Sequence, residues 1–456
     1  MLIREYKLKE FMKIITAIAL SCLFLISHPL WAQEAKYENA IFDSNIKSVK
    51  FHLDGLYTSY PMIELDDRGR LVLSFDDING DSRYLQYSIM HCDRNWQPTE
   101  DLDLYEYLDG FEENPIENYA FSYGTFTDYT HYDLRIPNED LNWKKSGNYL
   151  LSIFDEDGTV LLTRRFLVVD SKVRIEAEFV RPADAAKYRT HHEIDFRIDP
   201  LNTRIVNPDQ ELTAVVIQNG RWDNAITEVK HKFALGKYYV YDYQDQIVFP
   251  AGKEFRNMDI TSVKYRSESI LEIQNFRDGI TVLREKEWIR QHKSPFTEID
   301  LNGKFVIKTD DRFQNQRGSS GLVTTTKRFA SFGDAGIHNL ESEYVDVIFS
   351  IETGQPLLHD VYIFGEFTDW KIQPQFRLTW DDRLNGYLTK LHLKQGFYEY
   401  YYVVEGPNHE ADHSRIEGDW YETSNDYTIL LYYRPFGSRY DQLIGAHSFS
   451  SKDQFK

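Results

Sequence analysis

The chain contains very little cysteine. Its 456 residues include two, Cys22 and Cys92, and Cys22 lies in an apolar N-terminal segment that we expect to be removed. The mature chain then has a single thiol and cannot form an internal disulfide, even in an oxidising compartment. Its cores must therefore be stabilised by the burial of apolar side chains.

Positive charge is also scarce. The chain carries 52 Lys and Arg against 72 Asp and Glu, a formal net charge of −20. Residues 1–32 hold four basic and two acidic side chains, so the remainder is near −22. Phosphate backbones and anionic lipids attract proteins of the opposite charge. We therefore expect no nucleic-acid partner and no direct membrane insertion.

Long apolar runs are missing as well. The longest, residues 14–26, has about 13 residues, whereas a membrane-spanning helix needs about 20. Lys13 precedes this run, and small residues lead up to Gln33. The pattern predicts a signal peptide over residues 1–32 that is cleaved on export.

Two details of this segment have alternatives. Translation from Met1 or from Met12 is left open, and a retained membrane anchor competes with cleavage. Cys22 does not fit a lipoprotein site, because Leu20 stands one place too close to it and apolar residues follow it. We therefore expect an exported, soluble protein.

The zinc-protease pattern H-E-x-x-H occurs once, at His409–His413. That chemistry requires both imidazoles on one face of a helix, with the glutamate as general base. The five residues follow Gly406 and Pro407 and lie between two aromatic strand candidates, so a hairpin loop is the favoured interpretation. A zinc hydrolase stays a minor alternative.

A partial calcium-loop spacing occurs at Asp77, Asn79 and Asp81. The twelfth position is Ser88, where a bidentate carboxylate belongs, so the spacing predicts an acidic hairpin turn. Adventitious calcium at this turn or near residues 112–113 remains an alternative.

His91 and Cys92 are adjacent on a predicted strand and point to opposite faces, so they cannot form a thiolate–imidazolium pair. Cys92 is predicted to be a buried small hydrophobe. The sequence has no nucleophile elbow and no phosphate-binding glycine loop. We predict no catalytic, metal or cofactor-binding residue, no cofactor and no small-molecule substrate, and partner-binding residues stay unknown.

Aromatic residues are abundant, with 31 Tyr and 29 Phe, which is typical of β-rich proteins. Alternating segments bounded by turns such as Asn79-Gly80 and Asp157-Gly158 predict an all-β fold. The predicted strands of the first part are 47–57, 70–76, 84–91, 131–136, 148–155 and 159–169. Residues 95–130 interrupt this pattern and are too long for a simple hairpin loop, which favours a functional or partner-binding segment.

Hairpin spacing predicts three tandem immunoglobulin-like or early-set β-sandwich domains after the signal peptide. We expect an N-terminal domain at 33–171, a middle domain at 172–309, a linker or mobile loop at 310–341, and a C-terminal domain with its tail at 342–456. The tail from residue 435 loses strand periodicity.

Residues 71–111 and the segment that follows, DGFEENPIENYAFSYGTFTDYTHYDLRIPNEDL, resemble the first domain of the type IX secretion system plug proteins of Bacteroidota. Further strings extend the resemblance over nearly the whole mature chain, among them SGNYLLSIFDEDG, QNGRWDNA, VYIFGEFTDWK and GDWYETSNDYTILLYYRPFGSRYDQLIG. The resemblance implies a periplasmic plug, associated with the inner face of the outer membrane. Such a plug binds the periplasmic end of the giant outer-membrane translocon barrel and blocks its pore sterically, without catalysis.

A carbohydrate-binding envelope protein is the alternative, because GEFTDWK resembles part of sugar-binding early-set sandwiches. Trp370 and Trp420 would then stack on sugar rings, whereas internal packing is the competing interpretation. Trp222 and several tyrosines are candidate interface anchors or ordinary loop-packing residues, the tyrosines being Tyr105, Tyr107, Tyr119, Tyr123 and Tyr129.

Overall fold

A computed structural model describes residues 37–290, 300–311 and 339–453. The chain divides into Met1–Tyr37 and a compact unit, Glu38–Lys456. The strands, cores and contacts of the described residues from Glu38 onward belong to this compact unit.

The regular secondary structure of the described residues is almost entirely β. Up to residue 170 the strands are β1 Ala40–Ile41, β2 Ile46–Leu53, β3 Met62–Glu64, β4 Leu71–Asp77, β5 Leu85–Cys92, β6 Leu108–Gly110, β7 Asn114–Pro115, β8 Tyr119–Phe121, β9 Thr130–Ile136, β10 Leu141–Trp143, β11 Gly147–Asp155 and β12 Val160–Val169. Next come β13 Arg174–Val180, β14 His191–Asp199, β15 Leu212–Gln218, β16 Ile226–Val229, β17 Phe233–Leu235, β18 Tyr238–Tyr241, β19 Val248–Pro250, β20 Arg256–Asp259, β21 Ile270–Asn275, β22 Ile280–Arg284, β23 Glu287–Trp288 and β24 Phe305–Ile307. The last are β25 Tyr344–Glu352, β26 Val361–Phe364, β27 Arg377–Asp381, β28 Gly386–Lys394, β29 Gly396–Glu405, β30 Ala411–Asp412, β31 Asp426–Tyr433 and β32 Gln442–Ser450.

In the described ranges, helical structure is limited to short segments, and residues 339–341 before β25 are one of them. The other α-helical turns are α1 Leu104–Tyr107 and α2 Pro208–Glu211, and the 3-10 turns are Glu366–Thr368, Pro374–Phe376 and Ser451–Asp453. The prediction of an all-β sandwich fold is confirmed.

Two sheets form an N-terminal sandwich. One has the order β2-β4-β9-β8, and the other has the order β1-β12-β11-β5-β7 with β3 added to β12 in parallel. The alternate apolar residues of β4, β9, β5 and β11 meet between the sheets in one core, with Phe75, Tyr132 and Tyr149 fully buried. Their period-two spacing is what places these side chains on the inner face.

A second sandwich combines distant parts of the chain. Its sheets are β13-β14-β18-β17, with β19 on β14, and β16-β15-β31-β32. Strand β15 pairs along its length with β31, more than 200 residues later, from Leu212 opposite Tyr433 to Gln218 opposite Tyr427. Strand pairing thus crosses the boundary expected near residue 342, and the proposed domain limits stay a prediction.

The expectation that the tail lacks strand structure is wrong. Residues Gln442–Ser450 form β32, which pairs with β31. Gly445 interrupts the apolar pattern because β13 packs directly against it. A Cβ added at Gly445 would lie 2.6 Å from the Val173 side chain. The tail therefore closes the second sandwich.

The largest sheet has eleven strands, in the order β20-β29-β26-β27-β28-β25-β22-β21, with β23, β24 and β30 added at its sides. Its core contains Val347, Phe349, Ile363, Tyr400 and Tyr402, all buried. The predicted signal peptide lies outside the described residues, as do residues 312–338 of the expected linker.

Candidate functional site

Residues 95–130 carry charge of one sign only. They contain nine Asp and Glu and no Lys, Arg or His. The segment leaves β5, forms α1 and β6, reaches β7 at the edge of one sheet, and then enters β8 at the edge of the other. Because three residues join β7 to β8, both sheet edges lie on the same side of the N-terminal sandwich.

Strand β8 and the loop after it expose four aromatic side chains. The exposed fraction is 42% for Tyr119 and for Phe121, 54% for Tyr123 and 59% for Phe126. Two exposed carboxylates, Glu117 and Asp128, flank them. We call this set the open-edge surface, formed by Glu117, Tyr119, Phe121, Tyr123, Phe126 and Asp128.

The aromatic side chains of β8 continue the core of the sandwich outward. Tyr119 lies opposite Tyr132 in the pairing of β8 with β9, and their ring centroids are 5.8 Å apart. Phe121, two residues on, is on the same side of the strand and 6.2 Å from the Tyr119 ring. Ala120 points the other way and packs on Leu340. Apolar surface thus reaches the solvent at this edge.

The tip of the β8–β9 hairpin is held by hydrogen bonds. The Glu343 carboxylate accepts from the backbone N–H groups of Phe126 and Thr127, the latter at 3.1 Å. The Tyr129 hydroxyl contacts the carbonyl oxygens of Asn339 and Ser342, each at 2.8 Å. The open-edge surface is therefore presented on a fixed backbone, which lowers the entropy cost of binding a partner.

The face of the same sheet that bears Ala120 is closed by a buried charge cluster. Asp76 of β4 accepts from Lys394 Nζ at 2.5 Å and from the Tyr344 hydroxyl at 2.6 Å. His131 Nδ1 lies 2.6 Å from the other oxygen of Asp76, and Lys394 Nζ lies 4.0 Å from the centre of the Tyr129 ring. We call Asp76, His131, Tyr344 and Lys394 the seam cluster.

All four side chains of the seam cluster are at most 2% exposed. Burial would raise the pKa of Asp76, but Lys394 and His131 outweigh that effect and lower it. Asp76 therefore stays ionised, and the cluster joins the N-terminal sandwich to the eleven-stranded sheet through complementary charge.

A cavity of about 470 Å³ lies beside the seam cluster. Four Lys or Arg and three Asp or Glu line it, and pairs such as Arg164 with Asp369, at 3.2 Å, neutralise part of this charge. Among the described residues, no group of three or more His, Cys, Asp or Glu side chains is arranged to hold a metal ion. The cavity therefore offers no strongly charged ligand site.

The family model described as "Type 9 secretion system plug protein 1st domain" matches residues 46–170. These residues span most of the N-terminal sandwich, including the whole open-edge surface. This domain belongs to the type 9 secretion system plug protein family. Membership supports a role related to type IX secretion, in a family that is not an enzyme family.

The crystal structure of a hypothetical protein from Parabacteroides merdae is similar over 92% of this chain and 100% of that chain, with 28% identity and a TM-score of 0.82. A serine-rich repeat adhesion glycoprotein (Srr1) from Streptococcus agalactiae shares 11% identity over 45% of this chain and 82% of that one. Its TM-score of 0.12 is too low to carry an argument. No curated protein matches the chain significantly.

The five tyrosines considered as interface anchors all lie in the plug-family domain. Two of them are buried and three are exposed. Tyr107 and Tyr129 are buried, whereas Tyr105, Tyr119 and Tyr123 are exposed. Trp222, also considered as an anchor, instead lies 5.0 Å from the Trp96 ring of the plug-family domain and donates to Tyr60 at 2.7 Å.

Trp370 is partly buried and packs against a small aromatic core. Its ring lies 5.9 Å from Phe255 and 5.5 Å from Phe364, and the Arg221 guanidinium is 5.0 Å from its centre. Trp420 is 38% exposed. Trp420 is therefore the more exposed of the two tryptophans that the carbohydrate hypothesis uses, and Trp370 is partly covered by packing.

The two imidazoles of the H-E-x-x-H pattern face different carboxylates. His409 contacts Glu405, and His413 Nε2 lies 3.0 Å from Asp419. The residues between the two histidines include strand β30, Ala411–Asp412. The zinc motif requires a helix at this position. This geometry does not suit a two-histidine zinc site.

The calcium-like spacing forms a hairpin turn. The Asp77 carboxylate accepts from Asn79 N at 3.0 Å and pairs with Arg83 at 2.5 Å. A second local expectation is confirmed, since Cys92 is a buried free thiol. Burial raises its pKa to about 12 and lowers that of His91 to about 4.

Sequence reasoning missed Phe121, Phe126 and the seam cluster. The aromatic residues at 119, 121 and 123 follow a period of two, and the segment around them contains no basic residue. Together these two features could have indicated an exposed strand edge. Asp76 and Lys394 gave no such signal, because 318 positions separate them.

Proposed function

We propose that the protein is a periplasmic plug that binds the periplasmic end of the giant outer-membrane translocon barrel of the type IX secretion system and blocks its pore sterically. The observation that carries this proposal is the family match over residues 46–170. These residues form the domain that also bears the open-edge surface.

The compactness of the main unit supports a steric mechanism. The unit Glu38–Lys456 is compact, and a compact chain of this length has a radius of gyration of roughly 22 Å. The seam cluster and the pairing of β15 with β31 tie remote parts of the chain together. A body of this kind obstructs a channel without any covalent step, and a competing partner on the same surface releases it.

The surface chemistry also supports a protein partner. Exposed Tyr and Phe bury much area at low entropy cost, and interfaces are enriched in aromatic residues. No helix in the described ranges has both the length and the apolar character that crossing a bilayer requires.

The test is a conductance measurement on the purified barrel in planar bilayers. The intact mature chain should lower the open-pore current when it is added at the periplasmic side, and should have no effect from the opposite side. Unchanged conductance at concentrations where the two proteins bind each other would contradict plugging.

A cellular measurement complements it. Deletion of the gene should admit large antibiotics that an intact outer membrane excludes, and expression of the intact chain should restore the barrier. Normal exclusion in the deletion strain, with the barrel present at its usual level, would count against the proposal.

A further inference from the structure

Within the described ranges, one side of strand β8 pairs with no other strand, and just beyond the strand the Tyr123 N–H donates to Leu340 O at 2.9 Å. Asp133 N donates to Asn118 O at 3.0 Å, and Ser122 N donates to Tyr129 O at 2.8 Å. Hydrogen-bonded and non-hydrogen-bonded pairs alternate in an antiparallel ladder. The N–H and C=O groups of Tyr119 and Phe121 therefore point away from β9. In the described ranges no other strand pairs with this side of β8.

This edge lacks the lysine and proline residues that commonly block pairing. Exposed edges are commonly blocked by lysine, proline or a bulge. Residues 119–130 contain neither lysine nor proline. The edge strand β17, which also exposes apolar side chains, lies instead among Lys230, Lys232 and Lys237. Two open edges of the same molecule thus differ in whether they repel a further strand.

The charge around β8 selects the kind of strand that fits. Glu117 and Asp128 are exposed at either end of the hairpin, and in the described part of the chain no ion pair includes either carboxylate. The remainder of residues 95–130 adds only acidic charge. A strand bearing Lys or Arg would neutralise this charge, whereas an acidic strand would be repelled.

We propose that the edge of β8 takes up an extended, basic segment of the translocon barrel protein as an added antiparallel or parallel strand. This inference rests on the proposed function. Backbone hydrogen bonds to Tyr119 and Phe121 supply affinity, and alternate side chains of the incoming segment pack on the two aromatic rings.

Hydrogen exchange, read by mass spectrometry on the intact mature chain with and without the purified barrel, tests this directly. Barrel binding should slow exchange of the amides of Tyr119 and Phe121. The same experiment reports whether the two proteins bind at all, so a failure of the edge is distinguished from a failure of the plug.

Three substitutions of Phe121 and one control at Phe276 sharpen the test. Phe121→Pro removes an outward N–H, which edge strands tolerate, and Phe121→Lys places a positive charge on the edge that should repel a basic incoming segment. Each should weaken barrel binding at least tenfold, and Phe121→Glu should weaken it less. Phe276→Lys is the control. It changes an aromatic residue outside the open-edge surface that is 53% exposed, and it should leave barrel binding unchanged.

The outcomes separate cleanly. Slowed exchange at Tyr119 and Phe121, together with the charge-dependent losses, supports strand addition. Barrel binding with unchanged exchange at these amides, and with full affinity in Phe121→Lys, overturns strand addition and leaves the plug proposal standing. Absence of any binding by the intact chain overturns both.

Discussion

The sheet β2-β4-β9-β8 has two boundaries that are built in opposite ways. At the face that carries Asp76 and His131, it meets the eleven-stranded sheet through buried charges that leave their side chains at most 2% exposed. At the β8 edge, it ends in half-exposed rings and outward backbone groups. Both boundaries use the period-two alternation of the same strands.

The difference shows how one sheet serves both cohesion and binding. Charges placed where the chain supplies the partner become a rigid internal joint. Apolar and hydrogen-bonding groups left without an internal partner become a surface that another protein can complete. Substitutions at the joint should therefore alter the free energy of unfolding, and substitutions at the edge should alter binding.

Removal of the seam carboxylate should have the largest effect on stability. Asp76→Ala leaves the ammonium group of Lys394 buried without its counter-charge, which should lower the free energy of unfolding by about 3–5 kcal/mol. Urea denaturation of the mature chain measures this loss.

A surface pair provides the matched control. Asp346 pairs with Lys390 at 2.7 Å, and both side chains are substantially exposed. Asp346→Ala should therefore cost about 0–1 kcal/mol. Equal losses for the two variants would show that the joint is no stronger than a surface pair.

Removal of one hydroxyl from the joint should have an intermediate effect. Tyr344→Phe deletes the donor to Asp76 at 2.6 Å, and hydrogen bonds to charged groups contribute about 1.5–3 kcal/mol. The control is Tyr243→Phe, whose hydroxyl donates to a neutral carbonyl, Lys230 O, at 3.1 Å. It should cost about 0.5–1.5 kcal/mol. The reverse ranking in urea denaturation would argue against an ionised Asp76.

Acid should weaken the joint selectively. The pKa of Asp76 is lowered from 3.8 in the folded chain, so its contribution is fully present above that value. It is lost as the pH falls through the lower, folded-state pKa. The double variant Asp76→Asn with Lys394→Met removes both charges, and its urea midpoint should fall less between pH 5 and pH 3 than that of the unaltered chain. Parallel midpoints would contradict this account.

The local part of the fold could be predicted from the sequence. The strands expected at 70–76 and 84–91 are found at Leu71–Asp77 and Leu85–Cys92, because alternation and an Asn-Gly turn are encoded within a few residues. Strand β32 was not predictable in this way. Its Gly445 is explained by the close approach of the Val173 side chain, and Val173 lies far away in the chain.

The same distinction applies to the candidate site: some of its features are encoded locally, and others depend on distant parts of the chain. Its acidic charge and aromatic spacing are properties of residues 95–130 and could be recognised in the sequence. The exposure of its rings depends on which edge of the sheet β8 occupies, and the burial of Asp76 depends on β25 and β28. Long-range contacts of this kind cannot be recognised from local sequence composition.

The smallest effect on stability is expected at the edge itself. Phe126→Ser alters a ring that is 59% exposed and should change the free energy of unfolding by no more than about 0.5 kcal/mol. The buried Phe75 of the same sheet provides the contrast, since Phe75→Ala should cost about 3–5 kcal/mol. A loss above about 1 kcal/mol for Phe126→Ser would mean that the hairpin tip belongs to the core. The edge would then no longer be a surface left for another protein to complete.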